Sequence, residues 1–248
     1  MTPELELVIS RLHEVFGSYA MPSVVDMSPY RDPEKAIGAM KRKPLRELTA
    51  PDLDYYAAAA LTTVGDEALF KYVLPRLLEL VAEGELLTDS EIVLGKLTYG
   101  EWKVWRLEEQ EAVTGFLRAW WLTTLNRMIW TFNTSAKTVL ISIAQAEREL
   151  IWYLDAWEKI TEPSATDQLA EFIAFYGDDE TGTLQPPPFL SEDTPQWWQI
   201  RSWLTRPQTL TRLRRGQVSA SRRGFSDEYS AYLQAPQLLQ TLLSGSET

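Results

Sequence analysis

Residues 66–84 read DEALFKYVLPRLLELVAEG, and this stretch decides the fold class. Leu69, Phe70, Val73, Leu74, Leu77, Leu78 and Val81 recur at steps of three and four. That period stacks apolar side chains on one face of an α-helix. Asp66 offers a carboxylate to the unpaired N–H groups of a first turn, and Gly84 can take the left-handed backbone that ends a helix. Pro75 interrupts the pattern. It lacks a donor and clashes with the preceding turn, which predicts a kink or a brief break.

The same period extends outward. Leu5, Val8, Ile9, Leu12, Val15 and Phe16 predict a first helix ending at Gly17. Pro22, Pro29 and Pro33 make 20–33 irregular, and a short basic helix is expected over 34–43. Thr49-Ala50-Pro51-Asp52 is a helix start, followed by a stripe from Leu53 to Val64 and a stop at Gly65. The hairpin 52–84 has the form of one α-solenoid unit, without a fixed-period repeat elsewhere. Thr88-Asp89-Ser90-Glu91 matches a capping box. Long helices are expected over 101–127 and 133–160, and a shorter one from Ser164 or Thr166 to Tyr176. Helices resume at Thr194-Pro195, at Thr205-Arg206-Pro207 and at Ser226, and 236–243 forms a short apolar helix. The segment 216–224 reads as a loop.

Runs of alternating β-branched residues are absent, so the expected fold is all-α: an irregular multi-helix bundle with a solenoid-like hairpin and little or no sheet. The composition shifts at 177–195, where acids, Gly182 and Pro186-Pro187-Pro188 cluster. This suggests a main helical domain over 1–176, a linker over 177–195, and a small helical C-terminal unit over 196–248 packed on the main domain.

Composition narrows the chemistry. Among 248 residues there is no Cys and a single His. Thiol nucleophiles, disulfides, cysteine-ligated metals and His-pair metal sites are therefore excluded. Gly95-Lys96 lacks the spacing of a phosphate loop, and no dinucleotide, nucleophile-elbow, zinc-protease or calcium-loop motif occurs. No cofactor is implied and no catalytic or metal-ligating residue stands out. Apolar runs are too short to cross a membrane, and the acidic N-terminus lacks the features of a secretory signal, so the expected compartment is the cytoplasm.

Several stretches carry a family likeness. They are Pro44-Leu45-Arg46-Glu47-Leu48, Asp52-Leu53 with Tyr56-Ala57, Ala60 to Asp66, and Phe70 to Leu80. Over about residues 16–125 the chain resembles a family of uncharacterised bacterial helical proteins. The resemblance implies a helical bacterial protein and supplies no activity. Members of that family carry a small Cys cluster ahead of the Pro-Leu-Arg segment. Here the region reads Asp26-Met27-Ser28-Pro29-Tyr30, so a metal site implied by the resemblance has lost its ligands.

Four groups of residues remain as candidates. His13 can act as a base, but reads as a boundary residue without partners. Glu108, Glu109, Glu111, Glu147 and Glu149 could converge on a divalent metal, but read as solvated faces paired with Arg106, Arg118 and Arg148. Trp102, Trp120, Trp152 and Trp157 read as core. One member of each pair, Trp120-Trp121 and Trp197-Trp198, is expected to be partly exposed, because neighbours on a helix diverge by about 100°.

The fourth group is the sharpest. The net charge is -11, yet 201–224 holds Arg201, Arg206, Arg212, Arg214, Arg215, Arg222 and Arg223 and no acid. With Trp197, Trp198 and Trp203 upstream, Arg206, Arg212, Arg214, Arg215, Arg222 and Arg223 form the expected partner-binding set. A protein partner is the first expectation, nucleic acid through 197–224 alone the second, and packing on the acidic body the internal alternative. No membrane contact is expected, and the sequence leaves oligomeric state open. The functional expectation is a cytoplasmic bacterial macromolecule-binding or scaffolding module. An acidic inhibitor or immunity-type protein is the alternative, followed by a carboxylate and divalent-metal enzyme.

Overall fold

A computed structural model describes residues 1–127, 131–178, 181–223 and 226–245, and all their side chains except those of 219–223, 226–230, 232 and 242–245. The fold is all-α. Twelve α-helices run through the described residues, and the sheet is a single antiparallel pair of two-residue strands, Gly177–Asp178 and Thr183–Leu184. Among the described residues no helix is long and apolar enough to cross a membrane. Residues 1–123 and 131–134 form one compact unit, and 124–127 with the described residues from Ser135 onward form a second. The compositional break at 177–195 thus lies inside the second unit, where Leu184 is buried.

In the first unit, α1 (Pro3–Val15) begins where Thr2 Oγ1 accepts from Leu5 N, and it buries Leu5, Ile9, Leu12 and Val15. After the irregular 20–33 segment, one π turn at Glu34–Gly38 leads into α2 (Ala39–Arg42). At α3 (Ala50–Ala59) the carboxylate of Asp52 accepts from Thr49 N and Oγ1. This helix stops five residues short of the expected end. Ala60 turns to an extended backbone, Leu61 takes φ 63°, and the amides of Thr62, Thr63 and Val64 all converge on Ala59 O. Gly65 (φ 71°) then delivers Asp66 to cap α4 (Glu67–Glu83) through Leu69 N.

Of the expected kink or brief break at Pro75 the break does not occur: helix α4 continues through the proline, which is buried beside Leu74 and Leu77. Gly84 (φ 73°) closes it, with Glu85 N donating to Leu80 O. The expected capping box before α5 (Ser90–Tyr99) does not form. Asp54 takes Thr88 instead, accepting from its amide on Oδ1 and from its hydroxyl on the main-chain carbonyl. The helix expected from residue 101 starts later as α6 (Leu107–Leu125), because Glu101 is left-handed (φ 52°) and a 3-10 turn, Trp102–Val104, intervenes. Trp102, Trp120 and Trp121 are all fully buried, so the expectation that one of Trp120-Trp121 reaches solvent fails. The helix shares its buried surface widely enough to cover both rings.

In the second unit the helix expected over 133–160 is two: α7 (Ala136–Ala146) and α8 (Ile151–Lys159). The cause lies in α10 (Pro195–Leu204), which brings two glutamines to the break. Gln196 Nε2 donates to Ala144 O and Glu147 O. Gln199 accepts from Leu150 N and donates to Arg148 O. These bonds satisfy main-chain groups that a continuous helix would have paired internally. Helix α9 (Pro163–Tyr176) carries Gln168, buried, whose amide ties Ala136 N to Thr124 O. The expected loop 216–224 is helical as far as Arg223 in α11 (Pro207–Arg223), and the short C-terminal helix is part of a longer α12 (Ser226–Gly245). Both pack on α9 and on each other, which offsets the weak helix propensity of Gly216.

Candidate binding cavity in the second unit

The arginines of the sequence pattern meet different fates. Arg206 pairs with Glu158 at 2.9 Å, with Asp155 at 3.9 Å. Arg214 donates to Gln240 Oε1 at 2.9 Å. Arg212 turns inward: Nη1 donates to Trp157 O at 2.6 Å, Nη2 to Ile160 O at 2.8 Å and Nε to Thr166 Oγ1 at 2.9 Å. It thereby caps the C-terminal carbonyls of α8, where a cation also meets the negative end of the helix dipole. Arg201 reaches Glu192 only at 4.0 Å. The side chains of Arg222 and Arg223 lie outside the described residues. Arg215 is exposed and has no hydrogen-bond or ion-pair partner among the described residues.

Arg212 and Arg215 both line a cavity of about 710 Å³ where α9, the α8–α9 turn and α11 meet. Leu169 and Trp203 supply apolar surface and are buried, as are Thr166, Asp167 and Thr209. Thr161, Pro163, Pro207, Gln208 and Thr211 are exposed. The wall is rigid for a physical reason. Trp203 stacks on Trp157 with centroids 5.2 Å apart, and Trp157 meets Phe172 edge-on while its Nε1 donates to Ala165 O. Trp203 Nε1 itself is buried and has no hydrogen-bond partner among the described residues. A volume of this size and mixed lining suits a ligand with an apolar body and a few polar groups.

Of the remaining candidates, Trp152 is half-exposed rather than core, because α8 is a separate short helix that turns it outward; Trp157 is fully buried. Trp197 is buried and Trp198 exposed, as the helical divergence predicts. His13 is a boundary residue with a partner, its Nε2 lying 3.4 Å from Glu79 Oε2. The His13 contact and the ion pair with Arg76 hold the Glu79 carboxyl at about 2 against the opposing effect of burial.

Glu109 departs furthest from its expected solvated face. It is fully buried, accepts from Tyr19 Oη at 2.6 Å and Arg106 Nε at 2.9 Å, and pairs with Lys71 at 3.0 Å. Burial alone would push its pKa up; the bonds from Tyr19, Arg106 and Lys71 outweigh that and hold it below the ordinary value. Lys71 lies 4.4 Å from the Trp105 ring centroid. In the sequence its one signal is spacing: Leu74 and Leu78, three and seven residues on, place it on the core-facing side of α4. Among the described residues no group of three or more His, Asp or Glu side chains could hold a metal ion.

No family model, curated protein or solved structure matches this chain.

Proposed function

We propose that the chain is a binding protein whose second unit takes up a ligand with an apolar body and an anionic group. The observation that carries this reading is the position of Arg215. It is a cation without a partner among the described residues, on the lining of a cavity with a buried wall of Leu169 and Trp203. An acidic body of net charge -11 disfavours polyanions at long range, whereas Arg215, on a lining where Arg212 is engaged within the chain and Glu158 is paired with Arg206, favours one negative charge attached to a hydrophobic group. The expected macromolecular partner is then one that presents such a group, an apolar side chain next to a carboxylate. Nucleic-acid binding through 197–224 is the weaker reading, because Arg206, Arg212 and Arg214 are engaged within the chain.

The test uses 1-anilinonaphthalene-8-sulfonate, an apolar body with one negative charge, as a fluorescent probe of the native protein. Saturable binding is expected, with a loss of about tenfold in affinity on Arg215→Glu from the charge reversal. Displacement by decanoate identifies a small amphipathic anion, and displacement by a short peptide with adjacent Phe and Asp identifies a protein-borne group. Equal probe affinity in wild type and Arg215→Glu overturns the reading.

A further inference from the structure

Helix α6 turns one face to solvent. Leu107, Glu111, Arg118 and Leu122 are exposed on it, with Thr114 and Gly115 half-buried between them. Steps of three and four residues align these positions in one stripe along the helix. The stripe has an internal symmetry. Leu107 and Leu122 stand equally far on either side of the Thr114–Gly115 step, and so do Glu111 and Arg118. Leucine therefore mirrors leucine, and an acid mirrors a base. Beside the stripe runs α1. Thr2 Oγ1 lies 2.9 Å from Thr123 Oγ1, and towards the other end Arg11 comes within electrostatic range of Glu108 and Glu111, although its ion pair is with Glu14 at 2.8 Å. Leu7, one turn before Arg11 on the same side of α1, is exposed between those two contacts and adds apolar surface beside the middle of the stripe.

An exposed leucine is ordinary by itself. Mirrored leucines and mirrored opposite charges are what a two-fold axis asks of a helix that packs on its own copy. In an antiparallel pair of identical helices, each residue meets the one that stands equally far beyond the axis on the other copy. With the axis at the Thr114–Gly115 step, Leu107 of each copy meets Leu122 of the other, and Glu111 of each meets Arg118 of the other. Both leucine contacts and both ion pairs thus form twice over. A parallel pair would set Glu111 against Glu111 and Arg118 against Arg118, so charge selects the antiparallel arrangement. The centre also permits it. Among the described residues nothing lies within 4 Å of the point where a Cβ of Gly115 would stand, and the small side chains at a crossing set how closely two helices approach.

We propose that this face of the first unit is a docking surface for a second copy of the chain, which packs on it as an antiparallel two-fold dimer about the Thr114–Gly115 step. The dimer does not depend on how the cavity of the second unit is used. One helix pair with a flanking leucine is a small interface, so the dissociation constant belongs in the micromolar range. The experiment is sedimentation equilibrium of the full chain over rising concentration, where a reversible monomer–dimer equilibrium is expected. Glu111→Arg alone and Arg118→Glu alone each set like charges opposite one another twice, and each should weaken the dimer by about tenfold or more. An equal mixture of the two variants should restore it, because the mixed dimer holds one native Glu–Arg pair and one reversed pair. That rescue also shows that neither variant has failed to fold. A second readout uses the absence of Cys from the chain. A short bismaleimide should cross-link a mixture of Leu107→Cys and Leu122→Cys far more than either variant alone. The proposal is overturned if the chain stays monomeric to its highest soluble concentration, if neither charge reversal weakens the dimer, or if mixing the two variants fails to restore it.

Discussion

Arg212 donates from Nη1 to the carbonyl oxygen of Trp157 at 2.6 Å, so an arginine of α11 serves as the C-terminal cap of α8. Its other two bonds, to Ile160 O and Thr166 Oγ1, tie α11 to the α8–α9 turn and to α9. The residue at the centre of the basic segment is thus a structural clamp, whereas Arg215, three positions on, faces the cavity without a described partner.

Replacing Arg212 should therefore cost stability first. Arg212→Ala is expected to lose about 2–4 kcal/mol, since it strands two carbonyls and a hydroxyl. Arg212→Lys restores the charge but not the three-way fork, and should recover only part. Arg215→Ala should stay within about 0.5 kcal/mol of wild type, as exposed substitutions do. Urea unfolding of the three variants checks the contrast, and equal losses at both positions would contradict the assignment.

Glu109 and Lys71 form a buried pair in the first unit, 3.0 Å apart. Removing Lys71 leaves the buried Glu109 with Arg106 and Tyr19 alone, a partly compensated charge at about 1–3 kcal/mol, whereas replacing both by apolar residues removes that buried charge. Lys71→Met alone should therefore be more damaging than Lys71→Met with Glu109→Leu. A double-mutant cycle by denaturation measures the coupling. If the double variant is as unstable as the two single losses added, the pair is not coupled.

Glu79 gives the acid limb of stability its shape. Its folded pKa of about 2 lies below the ordinary 4.5, so the folded state favours the carboxylate. The stabilisation is complete above pH 4.5 and is lost as the pH falls towards 2, through protonation of the folded form. Glu79→Gln should be less stable at pH 7 by about 1–3 kcal/mol and should show a shallower loss within that window. Unfolding free energies measured from pH 7 to pH 2 decide this, and parallel curves for the two proteins would count against it.

The phenol of Tyr56 is fully buried and has no hydrogen-bond partner among the described residues. Burial pushes its pKa up. Tyr56→Phe removes an unsatisfied donor and keeps the ring, so stability should be unchanged or should rise by about 1 kcal/mol. Its neighbour on the same buried face, Leu53, provides the reference: Leu53→Ala should cost about 2–5 kcal/mol through the cavity it leaves. A clear destabilisation by Tyr56→Phe would mean the hydroxyl is paired.

Gly84 ends α4 in the left-handed region, and a Cβ there would lie 2.9 Å from Thr134 Cγ2. Gly84→Ala should cost about 1–2 kcal/mol from backbone conformation and crowding together. Adding Thr134→Ser removes the methyl but not the conformational cost, so it should recover only a fraction. Complete recovery, read from the Tm of the two variants, would assign the whole effect to crowding.

Much of this was legible in order along the chain. Asp66 caps α4 and Gly84 closes it where the residue types require, because both signals act within one turn of the helix. The apolar stripe of α4 reappears as buried Phe70, Val73, Leu74, Leu77 and Leu78. The segment 133–160 shows the opposite case. Its apolar period is continuous, yet the chain breaks after Ala146 because Gln196 and Gln199, some fifty residues later, take over the bonds. The candidate site divides in the same way. Seven arginines without an acid are visible in the sequence, but Arg212 and Arg215, both on α11, differ in what the fold sets opposite them: the end of α8 for one and open cavity for the other.

The sequence by itself determined that this chain is helical, where several helices begin and end, and that thiol and His-pair chemistry is closed to it. Those properties follow from side-chain type and from a period of 3.6 residues, both local. Tertiary structure alone decided that Glu109 is buried against Lys71, and that of two arginines on one cavity Arg212 caps a helix while Arg215 has no partner among the described residues. Periodicity says which side of a helix a charge occupies. Whether that charge is stabilised, stranded or available depends on the groups that packing brings within a few ångströms, and those come from segments distant in the chain.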